Sequence, residues 1–119
     1  MTDKELLELA AKAAGIEGHW AGGDFNTFVR TYNGYQMGWW NPLTDDGDAL
    51  RLAVKLRLRV EINERSVVVY WIADESEKSV YEYPDSVQNA DYEIQHINQD
   101  KATRRAIVRA AAEIGKEMK

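Results

Sequence analysis

An α+β fold, an antiparallel β-sheet with helices packed on it, is predicted by three features of this sequence. Helical periodicity appears at both ends and in the middle. Two pairs of β-forming runs are each closed by a short turn. A breaker and a cap separate those pairs, so the elements read α-ββ-α-ββ-(β)-α. The chain has 119 residues, which fits a single domain spanning 1–119, since domains most often run to about 100–150 residues. Folding at this size buries roughly two-thirds of the unfolded surface, enough for a core without covalent staples.

The elements follow in order. Thr2-Asp3-Lys4-Glu5 is a capping box, because the Thr2 hydroxyl can accept from the Glu5 amide while the Glu5 carboxylate reaches back. Leu6, Leu9, Ala10, Ala13 and Ala14 then share a face, and Gly15 is a natural stop. Residues 16–24 are glycine-rich and read as irregular, with His19-Trp20 able to open a strand. Phe25 to Tyr32 and Tyr35 to Trp40 read as a hairpin, because Asn33-Gly34 supplies the positive φ angles of a two-residue turn. Asn41-Pro42 breaks the strand, and Thr44 caps a helix to about Leu56 whose buried side is Leu50, Ala53, Val54 and Leu56. Leu58, Val60 and Ile62 alternate with Arg57, Arg59 and Glu61, the period of a half-exposed strand. Asn63 to Ser66 turns the chain into the β-forming run Val67 to Ile72. Val80 to Tyr83 adds an edge strand before Pro84, and Asp100 or Thr103 caps a last helix. Its core line is Ala102, Ala106, Ile107, Ala110, Ala111 and Ile114.

Composition restricts the function classes. The net charge of −5 argues against direct nucleic-acid binding, which depends on neutralising phosphates. The absence of cysteine removes disulfides, thiolate metal sites and cysteine nucleophiles, and fits a reducing compartment. No apolar run approaches the ~20 residues that span a bilayer, and the N-terminal segment lacks the order of a signal peptide. The expected location is cytoplasmic. Charge is uneven: Asp74, Glu75, Glu77, Glu82, Asp85, Asp91, Glu93 and Asp100 face Lys78 alone in 74–100, whereas 101–119 is basic.

Thr44-Asp45-Asp46-Gly47-Asp48 is the stretch that most resembles a site. A calcium loop counted from Asp45 needs a bidentate acid at its twelfth position, where Leu56 stands. The simpler reading is helix initiation, in which acids in the first turn complement the helix dipole. His19 and His96 lie far apart with no nucleophile motif beside them, and Gly22-Gly23 lacks the phosphate-loop context. Trp20, Tyr32, Tyr35, Trp39 and Trp40 admit core packing or an interaction surface. On a strand, Trp39 and Trp40 point to opposite faces. Tyr70, Trp71, Tyr81 and Tyr83 pose the same choice.

The run "WNPLTDDGDALRLAVKL" (Trp40 to Leu56), followed by strands and by "ATRRAIVRAAAEIGK" (Ala102 to Lys116), resembles the phage α-β-α sandwich domain family. The likeness covers the second helix, the hairpin after it and the last helix, and it implies a helix–sheet sandwich of phage or prophage origin. It brings no catalytic residues. With the small size and the acidic segment, it leads to a non-enzymatic accessory protein that binds a host protein or protein–nucleic acid complex. An inhibitor of bacterial defence, anti-CRISPR-like, is the most concrete form. The expected contact residues are Glu75, Glu77, Asp85, Asp91, Tyr81, Tyr83, Trp39 and Trp40. The alternative is a nucleotide binder, a signal sponge, in which Arg57, Arg59, Arg104, Arg105 and Arg109 grip phosphate. A metal-dependent phosphoesterase is the remote third. No cofactor, metal or membrane partner is expected, and a homodimer through an exposed edge strand or tryptophan patch stays open.

Overall fold

A computed structural model of the chain describes residues 1–21, 27–84 and 92–118. The elements run α1 (Asp3–Ala14), β1 (Gly18–Ala21), β2 (Thr27–Tyr32), β3 (Tyr35–Trp39), α2 (Asp46–Lys55), β4 (Arg59–Ile62), β5 (Val67–Ala73), β6 (Ser76–Glu82) and α3 (Tyr92–Glu117). The fold is α+β with helices packed on antiparallel sheet. The strands form two three-stranded sheets, ordered β1-β2-β3 and β4-β5-β6.

Turn chemistry explains the hairpins. Asn33 and Gly34 both adopt positive φ (50° and 83°), which matches the strand twist and sets Tyr32 opposite Tyr35. Between Val29 and Thr31 the register with β3 shifts, and Gly38, at φ 98°, absorbs the shift so that Trp39 falls opposite Val29. In the second sheet, Asp74 and Glu75 take the two left-handed positions of the β5–β6 turn.

The helices meet around α3. At 1.5 Å per residue its 26 residues extend about 39 Å. Ala102, Ala106, Val108, Ala110, Ala111 and Ala112 are all buried, so small side chains let α1, α2 and the β5–β6 face approach it closely. One apolar cluster runs from Leu6, Leu7 and Ala10 of α1 through α3 to Leu52 of α2, to Val67, Val69 and Val80, and to Phe28 and Trp40. Within it Phe28 stacks edge-on against Trp20 (5.4 Å between centroids) and Trp40 (5.6 Å). Trp20 is tied to α1, since its indole donates to Glu8 at 2.8 Å and Lys4 lies over its ring.

The structure corrects four expectations. Asp45, rather than Thr44, caps α2; its carboxylate accepts from the Asp48 amide at 2.7 Å. The buried side of α2 is Asp48, Ala49, Leu52 and Ala53, while Leu50 and Val54 are 65% and 68% exposed. Both stripes are apolar enough to pack, so composition does not choose between them. Polar bonds at the helix start lock the rotation, as described below. α3 begins at Tyr92, well before Asp100 and Thr103. The Thr103 hydroxyl turns back to donate to Gln99 O at 2.8 Å, so it extends the helix instead of starting it. Finally, Ile62 is exposed, although the alternation of its strand places it with Val60. The stretch at 22–26, with Phe25 and Gly22-Gly23, lies outside the described residues.

Candidate interaction surfaces

The aspartate-rich motif is a structural joint. Trp40 enters the core, Pro42 is fully buried, and the Asn41 side chain accepts from the Leu43 amide at 3.0 Å to shape the turn. Among the described residues Asp48 is the buried charged side chain. One of its oxygens accepts from the Asn41 amide at 3.0 Å and the other from Arg51 at 2.7 Å. Asp46 reaches Arg104 at 2.7 Å, while Arg104 Nε donates to Leu43 O at 2.9 Å. The acids therefore cap, brace and dock the helix. Replacing Asp48 by Ala strands the Asn41 amide and is expected to cost about 1–3 kcal/mol in denaturant unfolding, against about 1 kcal/mol for Asp45→Ala, which removes only a cap.

The β2–β3 hairpin carries the outward aromatics. Tyr32, Tyr35, Met37 and Trp39 are all exposed, Trp39 at 77%. Every residue of β3 is exposed, and β3 is an edge of its sheet. Arg30 donates to Met37 O at 3.3 Å, which stiffens the strand pair. Trp40, expected among the contact residues, is instead only 3% exposed and packs on Phe28. Its neighbour Trp39 takes the outside because successive strand residues alternate faces. Tyr32, Tyr35 and Met37 were absent from the expected contact set. Their signal was the tyrosine pair flanking Asn33-Gly34, which cross-strand pairing places side by side.

The acidic segment is divided by the fold. Glu75 sits in the β5–β6 turn and Glu77 on β6, where it lies 3.8 Å from Arg59. The pairing of β4, β5 and β6 puts Arg59, Glu61, Tyr70, Ile72, Glu77 and Tyr81 on the sheet face away from α3. Arg59 stacks on Tyr70, 4.2 Å from its centroid. Removal from water and the adjacent Glu61 carboxylate hold the Tyr70 phenol above its ordinary pKa, with Arg59 opposing. Tyr81 and Tyr83 are exposed. Glu82 belongs to the other face, where it pairs with Arg105 and Arg109. Asp85 and Asp91 lie outside the described residues.

The five candidate arginines do not converge. Arg104 is bonded to Asp46 at the start of α2, and Arg57 follows the end of that helix, a separation of about 15 Å along its axis. Arg105 bonds Asp3 and Arg109 bonds Glu82 and Tyr81 O, so both fasten α3 to its neighbours. Arg59 stands on the open sheet face. Arg57 and Lys78 border a cleft of about 940 Å³ beside Trp71, but Asp74, Glu113 and Glu117 border it too. That mixed rim does not single out an anion. Among the described residues no group of three or more histidines and carboxylates is placed to hold a metal ion, and no helix is long and apolar enough to cross a membrane.

These features define an α+β protein that presents an aromatic hairpin on one sheet and a mixed-charge face on the other. Comparisons of the chain with protein-family models, with curated proteins and with solved structures return no match.

Proposed function

We propose that the protein is a non-enzymatic accessory protein of phage or prophage type. It acts in the bacterial host cytoplasm by binding a host protein or protein–nucleic acid complex, and inhibition of a bacterial defence system is its most concrete form. The observation that carries this reading is the β2–β3 hairpin, where Tyr32, Tyr35, Met37 and Trp39 are all exposed, Tyr32 beside Tyr35 on one face and Trp39 beside Val29 on the other. Burying large apolar side chains in a partner is favourable, and tyrosine and tryptophan dominate binding hot spots because they bring area at low entropic cost. The acidic β5–β6 turn with Glu75 and Glu77 adds charge suited to a basic nucleic-acid-binding groove.

Affinity capture from host lysate by the full chain tests this reading. A stoichiometric protein partner is expected, with Tyr35→Ala or Trp39→Ala weakening its binding about 30-fold. Both positions are exposed, so the melting temperature should stay within about a degree or two of the parent. Undiminished binding by both variants, with loss in Glu75→Lys/Glu77→Lys, would transfer the contact to the acidic turn. Recovery of no protein partner at all would overturn the proposal.

A further inference from the structure

The open edge of the second sheet has a self-complementary sequence. β4 pairs with β5 on one side, and no strand adjoins its other side among the described residues. Asn63 N–H donates to Ser66 O at 2.8 Å, and hydrogen-bonded pairs alternate along an antiparallel ladder. Glu61 and Arg59 therefore direct their backbone groups to β5, while Val60 and Ile62 direct theirs to the open edge. Around Val60 the order is Leu58-Arg59-Val60-Glu61-Ile62, with apolar residues on the helix side and opposite charges on the other. Ile62 at this edge is 61% exposed, and Leu50 and Val54 on α2 are 65% and 68% exposed. A groove of about 330 Å³ runs between Leu50 and Ile62, lined also by Ala53, Val60 and Ile107, with Asp46 and Arg104 beside them.

We propose that this edge joins a second copy of the same chain, with β4 pairing antiparallel to β4 about a two-fold axis at Val60. In that register Val60 exchanges both backbone hydrogen bonds with Val60 of the second copy, and each Ile62 amide donates to the opposing Leu58 carbonyl. Arg59 faces Glu61 of the second copy twice over, on the outer surface, and Leu58 faces Ile62 beneath it. The two sheets become one of six strands, and the two α2 helices meet under the seam, where Leu50 and Val54 cover the Ile62 side chains. The opposite edge, β6, offers no equal match. A pairing about Val80 would need Glu82 for Lys78, but Arg105 and Arg109 already hold Glu82. This assembly is independent of the hairpin reading, since it uses the other sheet.

Sedimentation equilibrium of the full chain, from about 1 µM to about 1 mM, tests the pairing. The expected mass at the upper end is twice the 13.6 kDa of one chain. Arg59→Glu and Glu61→Arg should each weaken association at least about tenfold, because each turns two facing opposite charges into like charges. The double variant Arg59→Glu/Glu61→Arg should restore it, which a merely disrupted strand would not do. Leu50→Asp, placed on the helix and away from the strand, should also dissociate the dimer while the far-ultraviolet circular dichroism stays unchanged. A mass of one chain throughout the range would overturn the proposal. So would a dimer indifferent to the single charge reversals, or a double variant no stronger than the singles.

Discussion

Replacing Trp40 by alanine is expected to cost about 3–5 kcal/mol, measured as the shift of the denaturant midpoint. The side chain is 3% exposed, packs edge-on against Phe28, and sits where β3 ends and the turn to α2 begins. Its amide also donates to Phe28 O at 3.0 Å, so the ring is held at a fixed point of the first sheet. A cavity there opens between the first sheet and the helices, and the backbone on both sides is pinned, which limits collapse. Native domains are stable by roughly 5–15 kcal/mol, so this single change removes a large share. Trp39→Ala, one residue away, is expected to change stability by no more than about 0.5 kcal/mol, because its ring already lies in water. A large cost at Trp39 and a small one at Trp40 would mean that the inward and outward faces of β3 are exchanged.

The second large effect is expected at Gly115. A β-carbon there would lie 2.1 Å from Leu9 O and 2.9 Å from its carbonyl carbon, both backbone atoms of α1. Alanine elsewhere in a helix gains about 1 kcal/mol over glycine. Here that gain is outweighed, because α1 and α3 must separate along their closest approach and the packing of Leu6, Ala10, Ala111 and their neighbours loosens with them. Gly115→Ala should therefore destabilise by about 1–3 kcal/mol. Thermal unfolding followed by circular dichroism reads the sign directly: a raised melting temperature would show that α1 does not sit against Gly115.

Several parts of this fold are written in local chemistry. The Thr2 hydroxyl accepts from the Glu5 amide at 3.1 Å, as its capping pattern implies, and α1 stops at Gly15 in the left-handed conformation. Asn33-Gly34 closes its hairpin as a two-residue turn that sets Tyr32 opposite Tyr35. The aspartates of 45–48 begin a helix, and their spacing already argued against a calcium loop. Less legible were features that depend on which of two adequate faces is used. α2 has apolar residues at 49, 52 and 53 and again at 50 and 54, and nothing local ranks them. The choice falls to Asp48, whose bond to the Asn41 amide requires it to face inward. The start of α3 was illegible for a related reason: Asp100 and Thr103 are good caps in isolation, and only the i−4 bond of Thr103 shows that they lie inside a helix.

The candidate surfaces divide in the same way. Alternation along a strand requires Trp39 and Trp40 to oppose each other, but only the docking of Phe28 against Trp40 decides which one is exposed. The arginines suggest a phosphate grip when read along the chain. In the fold three of them are bound to Asp3, Asp46 and Glu82, because each sits where α3 must be fastened to another element.

What the sequence determined by itself were the cap and stop of α1, the Asn33-Gly34 turn and the opposed faces of Trp39 and Trp40, since each depends on hydrogen bonds or dihedral preferences within a few residues. Tertiary structure decided the division of the strands into two sheets, the rotation of α2, the fate of the arginines, and the exposure of the β2–β3 aromatics. Those outcomes depend on contacts between residues tens of positions apart, such as Arg104 with Leu43 and Leu9 with Gly115. Such contacts form only when whole elements pack, and the free energy of packing belongs to the pair of surfaces rather than to either segment alone.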